Sequence, residues 1–297
     1  MKTFRMRSHL LGAAVCGSFV LMSGLCARAD NENLLLGNPS SAKGLAAVGA
    51  DAATATADNN NFLVEKPEYS LSYNRKNGSP NWVSWHLAQS DRGRSGRSND
   101  FRPDLSLPAD SQVSPSAYRG SGYDRGHQCP SGDRTSSAET NSATFLMSNM
   151  LPQSPDLNRV VWNKLEEYCR DQIKQGANEE YIVCGGVGSK STIADGSVNV
   201  PAQCWKIVVF LPSGDNDLAR ITPQTRVLAV LMPNDDAALA GKTWRDFLVS
   251  VDSIEEATGY DFLSNVPKAV QDVLEAKVDT GRAPSTRGGG EDTGDAE

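Results

Sequence analysis

Apolar and polar residues alternate at positions 69–74 and again at 82–87, and between them stands Lys76-Asn77-Gly78-Ser79-Pro80. Two alternating runs around an Asn-Gly turn predict a β-hairpin. Three later stretches, 181–184, 205–211 and 226–232, are rich in β-branched and other apolar residues, and they predict further strands of a central antiparallel sheet. The helical signals are different in kind. Residues 139–145 predict a short helix, and 159–175 a longer one that stops at Gly176, where a left-handed backbone is easily adopted. A helix at 252–258 closes on Gly259, and one at 266–277 takes Asn265 as its cap with Pro267 near the first turn. The fold class expected is α+β, a central antiparallel sheet flanked by helices, and no internal repeat interrupts it.

The two ends lack this patterning. Residues 1–29 open on Lys2, Arg5 and Arg7, continue through an apolar run at 10–25 and end on Ala27-Arg28-Ala29. That layout predicts a secretory signal peptide cut after Ala29, hence a secreted or periplasmic protein with no membrane association once the leader is removed. A membrane anchor would need a longer run, of roughly 20 apolar residues. A lipoprotein signal would want a small residue before Cys26, where Leu25 stands. Residues 30–60, with their alanine-rich centre, are expected to form a flexible N-terminal arm. The span 61–278 is long enough for one domain with a sizeable core. Residues 279–297, with Gly288-Gly289-Gly290 and an acidic end, cannot bury apolar surface and are expected to be a disordered tail.

Charge first argues against a nucleic-acid partner. The chain has 29 basic and 36 acidic residues; losing Lys2, Arg5, Arg7 and Arg28 with the leader leaves 25 against 36, a net charge of −11. The distribution reverses that impression, because Arg92, Arg94, Arg97, Arg102, Arg119, Arg125 and Arg134 cluster before and through residues 123–127 and suggest a basic cleft on an acidic body. Removal of the leader also leaves four cysteines, Cys129, Cys169, Cys184 and Cys204. No C-x-x-C pair or histidine spacing points to zinc. An even number in an oxidising compartment predicts two disulfides, against the blander reading of buried free thiols. Cys184 ends one expected strand and Cys204 begins another, while Cys129 follows His127 and Cys169 lies on the long helix. The pairing expected is therefore Cys184 with Cys204 and Cys129 with Cys169.

Candidate chemistry centres on Tyr123-Asp124-Arg125-Gly126-His127. Only His9, His86 and His127 are histidines, and His9 falls in the leader. His86 lies in an expected strand with no partner in view and reads as structural. On the long helix Asn158, Trp162, Glu166 and Arg170 recur every four residues, so one face carries an amide, a carboxylate and a guanidinium. With a histidine these supply an oxygen ligand, an acceptor for water at a metal and a phosphate clamp, the set that metal-assisted phosphodiester cleavage needs. The plainer alternatives are a satisfied core histidine and an i,i+4 surface pair.

Asp124-Arg125-Gly126-His127, Ser148-Asn149-Met150-Leu151-Pro152-Gln153, Leu157-Asn158 and Trp162-Asn163-Lys164-Leu165-Glu166, in that order, resemble the DNA/RNA non-specific endonucleases of the ββα-metal (His-Me finger) superfamily. The similarity runs over about 33–278, and it looks most like the secreted cyanobacterial sugar-nonspecific type. It implies a ββα-metal motif and cleavage of DNA and RNA without sequence preference, leaving 5′-phosphate ends. His127 would then be the general base and Asn158 the single protein ligand of a divalent metal, Mg²⁺ or in its place Mn²⁺ or another divalent cation. Glu166 would act on that metal through water. Arg125, Arg97 and Arg170 would clamp the phosphate, Asn149 would support the histidine and metal region, and Asp124 would orient the motif. The chain departs from the pattern at Cys129 and at Gly185-Gly186, neither of which removes a reacting group. A secreted nucleic-acid-binding module with an inactive site is the alternative from another class. An antibacterial effector held by a protein inhibitor is a third.

Overall fold

A computed structural model of the protein describes Met1 and residues 31–44, 60–174 and 178–281. The leader after Met1, the alanine-rich part of the arm, Gly176 and residues 282–297 lie outside the described residues, while Asp279, at the start of the expected tail, pairs with Arg226 at 2.7 Å. The strands are β1 (Lys43–Gly44), β2 (Phe62–Glu65), β3 (Ser70–Asn74), β4 (Ser79–Leu87), β5 (Asp124–His127), β6 (Met150–Gln153), β7 (Asn178–Val187), β8 (Ser191–Ile193), β9 (Val198–Val200), β10 (Gln203–Pro212), β11 (Arg226–Pro233) and β12 (Leu248–Val249). Eight of them form one sheet in the order β1-β2-β3-β4-β7-β10-β11-β12, antiparallel throughout except for the β1–β2 pair. β5 pairs with β6 and β8 with β9 in two small ribbons. The helices used below are α1 (Ala138–Ala143), α2 (Asn163–Gln172), α3 (Val251–Thr258) and α4 (Lys268–Glu275).

Both faces of the central sheet are covered, which explains why β10 reads as an apolar run, broken only by Lys206, rather than an alternating one. On the near face Trp85, Leu87, Ile182, Cys184, Val208 and Val230 pack against Val161, Trp162, Leu165 and Cys169 of the long helical segment. On the far face Trp82, Tyr181, Trp205, Ile207 and Val209 pack against Val251, Ile254 and Leu274 of the two C-terminal helices and Phe262 of the loop between them. Gly185 is needed where β7 passes β4 and Trp205. A Cβ there would fall 2.3 Å from the Asn81 carbonyl oxygen and 2.8 Å from the indole.

Several expectations require correction. The arm is not uniformly loose: β1 pairs with β2, Ala42 is buried, and Leu34, Leu35 and Leu36 pack on the far face. Asn33 anchors it by donating to the carbonyls of Lys66 and Pro67 and accepting from the His86 N–H. Asn265 does not cap α4. Its amide donates to the Leu35 carbonyl instead, and Pro267 occupies the cap position.

The disulfides fare no better, since all four cysteines are free and buried. In the β7–β10 register Cys184 faces Lys206 and Cys204 faces Gly186, so the two cysteines are diagonal neighbours. Diagonal partners sit roughly 7–8 Å apart, beyond ordinary disulfide reach. The Cys184 thiol instead donates to the Gln128 side-chain carbonyl at 3.3 Å. Cys129 and Cys169 are likewise separate thiols in the near-face core, and burial pushes both well above the ordinary thiol range. Among the described residues no helix is long and apolar enough to cross a membrane.

Candidate active site

β5, β6 and the helical segment that follows build a ββα unit on the near face of the sheet. Pairing sets Gly126 opposite Leu151 and His127 opposite Met150. Gly126 has no substitute there, because a Cβ would fall 2.1 Å from the Gln153 Oε1. Beyond the strand Asn149 holds the backbone. Its amide donates to the carbonyls of Cys129 and Thr144 at 2.8 and 2.9 Å, and its oxygen accepts from the Cys129 N–H at 2.9 Å. All of this side chain is therefore spent on main chain. Asn149, expected to support the histidine and metal region, fixes the backbone of the segment that follows His127.

His127 is buried, but it is not the satisfied core histidine of the plainer reading. Its Nε2 finds no hydrogen-bond partner among the described residues. The ring is held by edge contacts instead, with Phe145 at a centroid distance of 4.8 Å and Phe101 at 5.5 Å. The same two phenyl rings carry the neighbouring cations: Arg125 lies 4.0 Å over Phe101 and Arg97 lies 4.9 Å over Phe145. Burial, reinforced by Arg97 and Arg125, pulls the imidazole down to about 3, so the ring stays neutral at ordinary pH. Arg97 also donates to the Ser131 hydroxyl at 2.7 Å, and Asn141 secures its loop by accepting from the Ser98 N–H while donating to the carbonyls of Ser131 and Arg134.

The helix begins irregularly. Residues Leu157–Trp162 form a π-helical turn before α2, so the four-residue stripe read from the sequence is not an even α-helical one. Such turns commonly mark functional sites, because the wider winding re-aims a side chain. Here it carries Asn158 to Asp124, whose Oδ2 accepts from the Asn158 amide at 3.0 Å. With its nitrogen committed, the amide oxygen of Asn158 is the free end. Asp124 also takes two bonds from Arg159, at 2.7 and 2.6 Å. Burial pushes the Asp124 carboxyl up, but these bonds outweigh it and hold the group below its usual range. Asp124 thus orients the helix start through its side chain, beyond the backbone role expected of it.

Glu166 and Arg170 continue along α2 into a buried charge network that the sequence did not disclose. Arg170 reaches Asp133 at 3.1 Å and Glu166 at 3.9 Å, while Lys206 of β10 approaches Glu166 at 3.7 Å. Lys206 is 1% exposed. Its ammonium lies between two indoles, 4.4 Å from the centroid of Trp162 and 5.5 Å from that of Trp85, and Trp85 in turn donates to Asp133. Burial raises the Glu166 carboxyl and the two cations oppose it. The one hint of Lys206 in the sequence was a lone lysine inside the apolar run 205–211.

His86 lies on the opposite face of the sheet from His127. It has partners after all: Nδ1 is 3.2 Å from Glu32, Nε2 is 3.4 Å from Glu179, and the ring stands beside Tyr181 at 4.8 Å. Of the clustered arginines, Arg134 is buried and bonded to the carbonyls of Glu68 and His86, and Arg102 is paired with Asp100. Arg119, Arg125 and Asp124 line an open depression of about 370 Å³ beside the motif.

Residues 50–269 match the family model for DNA/RNA non-specific endonucleases. The chain belongs to this family. It is 50% identical over 248 residues to a nuclease of a Nostoc species, covering 83% of this chain and 86% of the relative. It is 31% identical over 218 residues to human mitochondrial endonuclease G, covering 69% and 70%. Among solved structures it resembles the EndoG chain of an EndoG/EndoGI complex with a TM-score of 0.63 at 25% identity, covering 80% of this chain and 92% of that one. Membership makes the protein a nuclease of DNA and RNA, a hydrolase of phosphodiester bonds, in a family of metal-dependent enzymes.

Proposed function

We propose that this nuclease is a secreted, Mg²⁺-dependent endonuclease acting on DNA and RNA through the cleft around His127. The observation that carries the reading is a buried imidazole whose Nε2 has no partner among the described residues, flanked by two arginines that lie over rings rather than being paired with carboxylates among those residues. His127 takes the proton from an attacking water; burial and the two arginines keep it unprotonated, and the same lowering makes it a weaker base than a free imidazole. Arg97, Arg125 and Arg170 hold the phosphate and offset the charge that gathers on it in the transition state.

The donors fit a hard divalent cation. Asn158 offers an amide oxygen aimed by Asp124, and Glu166 offers a carboxylate from further along the helix, oxygen donors of the kind that favours Mg²⁺, with Mn²⁺ as a substitute. When bound, such an ion stabilises charge on the phosphate and on the departing 3′ oxygen. Asn158 would hold it directly, and Glu166, fixed by Lys206 and Arg170, would accept hydrogen bonds from its waters. The likeness to the EndoG chain of an inhibitor complex supports a protein inhibitor as a further partner.

The test is incubation of the mature chain with circular DNA, single- and double-stranded, and with RNA, each with Mg²⁺ and with chelator. His127→Ala is expected to lower cleavage by about 10²–10⁴-fold. His86→Ala, altered on the far face, should stay near the parent rate. Equal activity of the two variants would remove His127 as the base, and retardation without cleavage would favour a binding module.

A further inference from the structure

Far from the cleft, helices α3 and α4 bury Val251, Ile254 and Leu274 against the sheet. Between these helices three carboxylates converge. One oxygen each of Asp252, Glu255 and Glu275 lies within 4.8 Å of the other two. Lys268, the nearby cation, is turned to Asp272 at 2.7 Å. Among the described residues no salt bridge reaches the three.

Glu275 makes this more than a patch of surface acid. It is 2% exposed, and its Oε1 has no hydrogen-bond partner among the described residues. Glu255 has one oxygen occupied by the Phe262 N–H at 2.7 Å, which fixes the carboxylate while leaving its other oxygen available. Asp252 is exposed and opens the group to solvent. Of the charged neighbours, Asp261 adds to the repulsion felt by Glu255, and Lys268 relieves it only in part. Burial, with Glu255 and Asp252 adding to it, pushes the Glu275 carboxyl up to about 7. Like charges this close and this dry call for a proton or a cation.

We propose that Asp252, Glu255 and Glu275 form a divalent-cation site, separate from the catalytic cleft, that takes calcium and clamps α3 to α4. The donors are all carboxylate oxygens, which selects a hard ion over zinc or copper. They come from two helices at unequal depth, an irregular set that suits calcium better than the strict octahedron of magnesium, with water filling the remaining positions through the open side at Asp252. Affinity in the range of extracellular calcium modules, about 10⁻⁴–10⁻³ M, matches so small a ligand set.

Calcium binding and thermal stability decide it, measured on the mature chain carrying Asn158→Ala so that the cleft does not contribute. Equilibrium dialysis should find one Ca²⁺ per chain in this parent and none after Glu275→Gln. Saturating Ca²⁺ should raise the parent's Tm by about 5 °C. Glu275→Gln should melt above the parent in chelator, where the buried charge is gone, and should not respond to Ca²⁺. Asp252→Asn, an exposed change, gives the same loss of response if Glu275→Gln does not fold. Unchanged calcium stoichiometry in both variants would overturn the site. So would a parent that binds no calcium and shows no rise in Tm, which would leave a proton as the occupant.

Discussion

A neutral buried imidazole has a thermodynamic signature that can be read without any substrate. In the unfolded chain His127 takes a proton near its ordinary pKa of 6.5, whereas in the fold it resists protonation down to about 3. Between those values the unfolded state binds one more proton, so stability falls as pH falls through this window. The loss attributable to His127 is about 2 kcal/mol at pH 5 and approaches about 5 kcal/mol near pH 3. His127→Gln removes the titration while keeping a polar side chain of similar reach. Urea unfolding of both proteins in chelator, followed by tryptophan fluorescence at pH 8, 6.5 and 5, isolates the effect, since the other titrating groups are shared and cancel in the difference. The parent should lose about 2 kcal/mol relative to the variant on going from pH 8 to pH 5. A difference that does not change with pH would refute the reasoning, and would mean that water reaches the ring freely enough to restore an ordinary pKa.

Other outcomes follow from the same geometry. Asn158→Ala should abolish measurable cleavage at saturating Mg²⁺ and Glu166→Gln should lower it by about 10–100-fold; undiminished cleavage by the parent in excess chelator would rule out a metal-dependent mechanism. Lys206→Met should move the acid limb of the kcat/KM profile to higher pH, because Glu166 loses the cation that opposes its protonation, and Lys206→Arg should restore it; a uniform drop at every pH would mark Lys206 as merely structural. Arg119→Ala should make the dependence of log Kobs on log salt shallower by about 0.9 for a labelled duplex bound in chelator, and Arg102→Ala should leave the slope alone; the reverse order would misplace the cleft.

How legible the fold was depends on what holds each element. Strands β4, β7, β10 and β11 carry both faces of the core, and they announce themselves by alternation in β4 and as apolar runs in the other three. β5 and β6 have four residues each, Asp124–His127 and Met150–Gln153, too few and too mixed to show a period. The order between residues 31 and 44 was invisible for another reason. It rests on amide side chains such as Asn33 and Asn38 bonding to backbone, some of it 33 residues away, and on leucines that reach a face built by the C-terminal helices. Cysteine number gave no geometry, and the register that keeps Cys184 and Cys204 diagonal exists only once β7 and β10 pair.

Within the site, the residues expected to meet substrate were readable because they cluster in short motifs, whereas those that hold them in place come from distant strands and loops. Asp133 and Asn141 had no local signal of their own, and Lys206 only that of a lone lysine in an apolar run. The arginines show the same division and resolve the puzzle of an acidic nuclease. Arg134 and Arg102 are occupied by carbonyls and a carboxylate. Arg125 lies over Phe101, and Arg97 over Phe145 while donating to Asn99 and Ser131; neutral partners of this kind fix a guanidinium without neutralising it. Those two rings also set the plane of His127 by their edges. One pair of phenylalanines therefore positions a neutral imidazole and two cations together, while acid such as the Glu275 cluster collects behind the sheet. Favourable charge for a polyanion is thus a property of one face of this molecule and not of its net balance.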